Sequence, residues 1–348
     1  MKKGLYVFLL AIIAVVGILL LKPVFGSGYY SIGNGPISDI QIDYIPGQLL
    51  IASAHSIFIF DTESNEPVDE YELACSYVDR GNPGNPQNNY IYGFGGLFAE
   101  FSLNRTTEDV ESAALANDFI PNVQLQDQDK LYAICQDQSL GPDSMGGKIF
   151  VFDKGDLSLE NVWPCEMWPE LALYDYENQK IIVAQGYTTS YSESLYSPWE
   201  EGVQWLSNVG IYNPSRSGEL IQEYTIQGSI AGLAQASDGI IIVGLAGNKE
   251  NWVPASTLAV LSDPIRYVDI ENYQVACMDY DTANDRVIAS VSIDDSEIGI
   301  SILVWYYDTG EYEIIESDVH PMLIIKYYDG KAYTSTGKDN RLYVIPID

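Results

Sequence analysis

The sequence predicts an all-β, seven-bladed β-propeller preceded by an N-terminal hydrophobic helix. Two observations carry the propeller. A strand phrase reading like Ser-Ile-Phe-Ile-Phe-Asp recurs seven times, at Ser56–Asp61, Gly96–Phe101, Lys148–Asp153, Asn208–Asn213, Thr257–Ser262, Ser301–Tyr306 and Arg341–Pro346. The markers Phe58, Phe98, Phe150, Gly210, Leu258, Leu303 and Leu342 are spaced by 40, 52, 60, 48, 45 and 39 residues, close to the roughly 40–50 residues that four antiparallel strands need. A third observation concerns the leader, where Lys2 and Lys3 precede an uncharged apolar run from Gly4 to Leu21 that Lys22 ends.

Taken in order, residues 1–26 form a signal anchor or a signal peptide. The run is at the short end of a membrane span and longer than the roughly 7–15 residues of a signal-peptide core. Val24-Phe25-Gly26 before Ser27 is a candidate cleavage site, and Lys22 weighs against it. Either reading holds the N-terminus inside and places the propeller on the extracellular face of the membrane or in the medium. Residues 27–36 are a linker in which Tyr29–Ile32 can supply a ring-closing strand, because the seventh copy holds only three: Met322–Tyr327, Lys331–Ser335 and Arg341–Ile345. An unpaired edge there would invite association.

Residues 37–348 are the propeller. The first copy reads Ile37–Ile42, a turn at Asp43–Gly47, Gln48–Ala52, Ile57–Asp61 and Val68–Leu73. Val, Ile, Tyr and Phe fill the runs, and Asp, Asn, Gly and Pro punctuate them.

Charge narrows the partners. With Lys2, Lys3 and Lys22 in the leader, 14 basic residues remain against 49 acidic ones, a net −35. Such a surface repels nucleic acid and anionic membranes, which leaves the N-terminal segment as the membrane contact. It attracts cations or basic partners, or serves as an acidic exterior suited to salt or acid.

Cys75, Cys135, Cys165 and Cys277 allow three pairings in an oxidising compartment, of which Cys135–Cys165 is favoured by proximity in sequence. Buried thiols are the alternative.

The copies differ most in the connection between their second and third strands. It is short at Ala54–Ser56 and Gly93–Gly95, then grows to Gln136–Gly147, Gly186–Ser207, Ala246–Ser256 and Ile293–Gly299 in blades 3 to 6. Long loops on a rigid scaffold are where binding concentrates. The blade-4 insertion carries Tyr187, Tyr191, Tyr196, Trp199 and Trp205, and Trp252 lies in the neighbouring loop. Rings with one polar handle beside Ser, Thr, Gln and Glu suit a glycan or an extracellular protein; the alternative is that they pack onto the rim.

A second constellation is axial. His55 falls in the short blade-1 loop and His320 in the entry to blade 7, on the same face of adjacent blades, and Asp39, Asp79, Glu170 and Asp318 lie at or near blade entries, so His55, His320, Asp318 and Asp39 are the weak metal candidates. No organic cofactor motif is present, and a divalent cation is the one cofactor considered. The run Asp279, Asp281, Asn284, Asp285 lacks the order of a calcium loop, and a hairpin turn suffices to explain it.

The phrases Gly147–Asp153 (Gly-Lys-Ile-Phe-Val-Phe-Asp) and Leu303–Gly310 (Leu-Val-Trp-Tyr-Tyr-Asp-Thr-Gly) resemble the YVTN-type propellers of bacterial and archaeal surface and exported proteins, and more loosely WD40-like propellers. The resemblance covers residues 37–348 and implies fold and export. The Gly-His…Trp-Asp blade signature and an intact Tyr-Val-Thr-Asn are absent. The clustered His, Arg or Trp motifs of propeller lactonases, lyases and quinone dehydrogenases have no match either, so the resemblance transfers no active site. The reading that follows is a non-enzymatic recognition module acting through blades 3–6, with a metal-assisted hydrolase or lyase at the axis and a structural surface-coat component as alternatives.

Overall fold

The computed structural model describes residues 28–79, 89–95, 99–115, 118–137, 146–165, 168–186, 206–246, 256–271, 273–293, 299–319 and 321–347. They form seven four-stranded antiparallel sheets. Blade 1 is β2 (Ile37–Ile42), β3 (Gln48–Ser53), β4 (Ile57–Asp61) and β5 (Glu66–Tyr71), preceded by β1 (Gly28–Ser31). Blade 2 is β6 (Cys75–Asp79), β7 (Tyr90–Gly95), β8 (Ala99–Asn104) and β9 (Val110–Ala114). Blade 3 follows as β10 (Phe119–Gln126), β11 (Lys130–Asp137), β12 (Gly147–Asp153) and β13 (Leu159–Cys165), and blade 4 as β14 (Trp168–Asp175), β15 (Lys180–Gly186), β16 (Leu206–Asn213) and β17 (Glu219–Gln227). Blade 5 is β18 (Ser229–Gln235), β19 (Ile241–Ala246), β20 (Leu258–Leu261) and β21 (Arg266–Val268). Blade 6 is β22 (Gln274–Asp281), β23 (Arg286–Ser292), β24 (Ser301–Tyr306) and β25 (Tyr312–Glu316), and β26 (Ile324–Tyr328), β27 (Lys331–Ser335) and β28 (Arg341–Pro346) begin blade 7.

Blade 7 is completed by β1. Its Gly28–Ser31 pairs antiparallel with Val344–Arg341 of β28. Ile32 N donates to Asn340 O at 2.7 Å, and Asn340 Nδ2 to Gly33 O at 2.6 Å. The two ends of the described chain thus share one sheet, and the edge of β28 is covered.

The apolar runs follow from how blades stack. Alternate residues of a strand face opposite sides of the sheet, and inner strands here have a neighbouring blade on both sides. In β4, Phe58 and Phe60 pack toward blade 7 with Tyr333 and Leu342, whereas Ile57 and Ile59 pack toward blade 2 with Val78 and Phe101. Neither face meets water, so Ile-Phe-Ile-Phe is continuous rather than alternating. Seven buried clusters among the described residues correspond to the seven seams. The outer strands differ: five of the six residues of β5 are exposed.

Two expectations are corrected. The third strand of blade 2 is Ala99–Asn104 instead of Gly96–Phe101, and Gly93–Gly95 belongs to β7 instead of a connection. A Cβ on Gly93 would lie 2.3 Å from Tyr77 O and 2.7 Å from Phe101 Cζ, so this glycine serves close packing inside a strand. The Cys135–Cys165 pairing is also excluded, since no cysteine is in a disulfide. Cys135 lies opposite Lys148 and Cys165 opposite Gly147, on the two strands flanking β12. Their side chains enter different seams, toward blade 2 and toward blade 4.

The leader lies outside the described residues, and among those residues no helix is long and apolar enough to cross a membrane.

Candidate functional site

The ring has two faces. One carries the turns between first and second and between third and fourth strands; the other carries the second-to-third connections and the segments leading into each blade.

On the turn face, side chains of adjacent blades reach one another at every seam. Arg105 of blade 2 forms a bidentate pair with Asp43 of blade 1, at 2.6 and 2.8 Å, with the guanidinium 4.7 Å from the Tyr44 ring centroid. Lys154 of blade 3 lies over Tyr92 of blade 2 at 5.2 Å. Tyr132 stacks on Tyr174 at 6.0 Å, joining blades 3 and 4. Gln235 Nε2 donates to Asp175 Oδ2 at 2.9 Å, Ser237 N to Asp285 Oδ1 at 3.2 Å, and Tyr307 OH to Asp238 Oδ2 at 3.1 Å. Arg286 donates from Nε to Asp281 at 2.8 Å and from NH2 to Tyr327 OH of blade 7 at 2.8 Å. Tyr328 OH accepts from Gly47 N at 2.7 Å and closes the circuit.

Tyrosine matters here because cations are scarce: 26 Tyr accompany 17 Lys and Arg against 49 acids. Tyr132 OH donates to Asp127 at 2.6 Å, Tyr280 to Asp285, and Tyr71 to Asp69 at 2.9 Å. Burial and these acceptors push the Tyr132 and Tyr280 hydroxyls well up, and Tyr71 to about 12. Burial alone would raise Asp281, yet bonds from Asn284 and Arg286 hold it below the usual carboxylate range. Asp285 is lowered against its burial by Tyr280 and Ser237. The calcium-like run is therefore a hairpin turn whose carboxylates are filled by protein donors, with Asp285 at φ 52°.

The loop face is tied at its roots. Ser207 Oγ donates to Gly228 O at 2.7 Å and Ser290 Oγ to Met322 O at 2.9 Å, each on the segment leading into the next blade. Thr257 Oγ1 accepts from Ile270 N at 3.0 Å, and Ser38 Oγ donates to Cys75 O at 3.2 Å. Asn122 Nδ2, on the bulged residue of β10, bonds Pro169 O. These hydroxyls and amides fasten strand ends to backbone carbonyls and amides.

Among the described residues no three His, Cys, Asp or Glu side chains converge to hold an ion. His55 is exposed in the Ser53–Ser56 turn, its backbone N 3.5 Å from Ser53 Oγ. Asp39 is buried and engaged as an inter-blade clasp, accepting Ile40 N at 2.8 Å, Val78 N at 3.2 Å and Gln41 Nε2 at 3.1 Å. Burial raises its carboxyl despite these donors. Asp318 is exposed on the segment before blade 7. Glu170 is the bulged residue of β14, and burial raises its carboxyl. Asp79 ends β6 near Glu100, whose carboxyl its charge helps to raise. His320 lies outside the described residues, as do Tyr187, Tyr191, Tyr196, Trp199, Trp205 and Trp252. What is described is their frame: Gln185 pairs with Asn208 beneath the blade-4 insertion, Gly244 with Leu258 beneath that of blade 5, Gln136 with Gly147 in blade 3, and Val291 with Ser301 in blade 6.

One buried polar group was not singled out by sequence reading. Glu100 of β8 meets Gln124 of β10 across the blade 2–blade 3 seam. The signal was available: a glutamate in the third strand of a copy, a strand with no solvent side.

No family model and no curated protein matches the chain. Among solved structures 1113 chains resemble it, too many for likeness to single out a function. One is a chain of the crystal structure of a mitotic checkpoint complex, 9% identical over 92% of this chain and 91% of that one, with a TM-score of 0.65. At that identity the likeness shows the fold alone, a seven-bladed propeller, and no specific family.

Proposed function

We propose that this protein is a non-enzymatic recognition module, exported or membrane-anchored by residues 1–26, that presents the second-to-third strand connections of blades 3–6 to an extracellular protein or glycan. The observation that carries the reading is the inequality of these connections on one face. Ser53 and Ile57 are joined by a tight turn in blade 1, whereas Gly186 and Leu206 bracket a long insertion in blade 4. The insertion holds Tyr187, Tyr191, Tyr196, Trp199 and Trp205, and Trp252 belongs to the next one. Tyr and Trp give broad contact at low rotamer cost. The fold supports an interaction role, and a chain of the same shape occurs in a protein complex. The net charge of −32 favours a partner with a basic or neutral surface.

Binding of the Trp199→Ala/Trp205→Ala double variant to a glycan array and to a panel of extracellular proteins tests this. Loss of binding with an unchanged β-type circular dichroism spectrum is expected; undiminished binding removes the proposal.

A further inference from the structure

The third strand of a blade lies between two others and faces a blade on each side, so a carboxyl placed within it, away from the turn-end positions of Asp61 and Asp153, is buried. Glu100 is 0% exposed, opposite Phe94 of β7 and Ala113 of β9. From the facing blade, Gln124, itself 6% exposed, donates from Nε2 to Glu100 Oε1 at 2.6 Å. Two buried acceptors are then left without a hydrogen-bond partner, Glu100 Oε2 and Gln124 Oε1. Native interiors rarely leave such atoms unfilled. An ionised Glu100 offers no donor to either. A carboxylic acid and a primary amide are complementary, because each presents one donor beside one acceptor. A single proton on Oε2 fills both orphans at once.

We propose that Glu100 is carried as the neutral acid and that its Oε2–H donates to Gln124 Oε1, so that blades 2 and 3 are joined by an acid–amide pair that opens when the proton is lost. The titratable groups of the same seam agree with a neutral joint. Tyr77 on β6 and Cys135 on β11 are held protonated by burial. Burial, and then the charge of Asp79 at the end of β6, raise Glu100 well above the ordinary carboxyl range. The seam's cation, Lys154, is engaged one step along β10, with Gln126 Oε1 at 2.6 Å and Asp127 O at 3.0 Å. On β10, Gln126 Nε2 is a further buried donor without a partner; turned onto Glu100 Oε2, it would favour a carboxylate, and the test below separates the two states.

The sign is fixed by linkage. Unfolded, Glu100 loses its proton near pH 4.3; folded, it keeps the proton to higher pH. Its contribution is therefore complete in acid and is lost as pH rises through its folded value. The joint is tight in acid and loosens toward alkaline pH.

Infrared difference spectra of the full chain at pH 7, wild type against Glu100→Gln, read the proton directly. A protonated-carboxyl C=O band present in wild type and absent from the variant is expected; a carboxylate band in its place overturns the proposal. Urea midpoints from pH 4 to 9 read the consequence: wild type should lose stability relative to E100Q as pH rises, and parallel curves overturn it. If E100Q does not fold, Gln124→Met serves instead, since removing the acceptor must shift the acid band; an unmoved band is the contrary result.

Discussion

The two faces of the ring are made from the same strands and held by different chemistry. The turn face is closed by charged and tyrosyl side chains that cross every seam, from Arg105–Asp43 round to Tyr328–Gly47. The loop face is fastened by small hydroxyls and amides bonded to backbone, as in Ser207–Gly228, Thr257–Ile270 and Ser290–Met322. Turn length explains the contrast. Connections such as Asp43–Gly47 bring side chains of adjacent blades within reach, so that face is complete in itself. On the other face the described bonds fix the roots of the connections, and variation between copies is free to accumulate above them. A scaffold built this way separates stability from specificity.

That separation can be broken from the turn face. Asp43→Ala leaves the buried Arg105 guanidinium without its carboxylate, both side chains being nearly inaccessible to water. Removing one partner of a buried pair costs about 3–5 kcal/mol, so urea denaturation should show a loss of that size. Smaller and conditional is the effect of Asp281→Asn. Asp281 is lowered in the fold, so its contribution is present above the unfolded value of about 3.9 and fades as pH falls through the folded one. Wild type should exceed the variant at pH 7, with the gap closing in acid, a trend opposite in sign to that of Glu100. Smaller still, Ser290→Ala removes one pin to Met322 O and should cost about 1 kcal/mol by thermal or chemical unfolding. A loss comparable to that of Asp43→Ala would mean that the loop face carries as much stability as the turn face.

How much of this was legible follows from which residues have no choice. Ile57–Asp61 and Ser301–Tyr306 face a neighbouring blade on each side, so their continuous apolar runs mark the third strands within a residue or two. Outer strands have one solvated side and little pattern; Val68–Leu73 was expected where Glu66–Tyr71 forms. Gly93 reads as a turn residue because local sequence does not reveal that Phe101 occupies the space a side chain would need. The cysteine pairing failed for a related reason: closeness in sequence does not say that β12 stands between Cys135 and Cys165. At the axis, sequence placed Asp39 near the blade lead-in but not its three donors, which leave it a clasp. Glu100 was readable in principle from the burial of third strands; its partner Gln124 was not, since pairing across a seam has no signature along the chain.

The separation of scaffold from specificity is tested most directly by replacing residues 188–204 with a short Gly-Asn turn and measuring both thermal unfolding and binding to the glycan array and extracellular-protein panel. The account predicts an unchanged unfolding temperature and lost binding. A variant that still binds, or one that unfolds well below wild type, would contradict it.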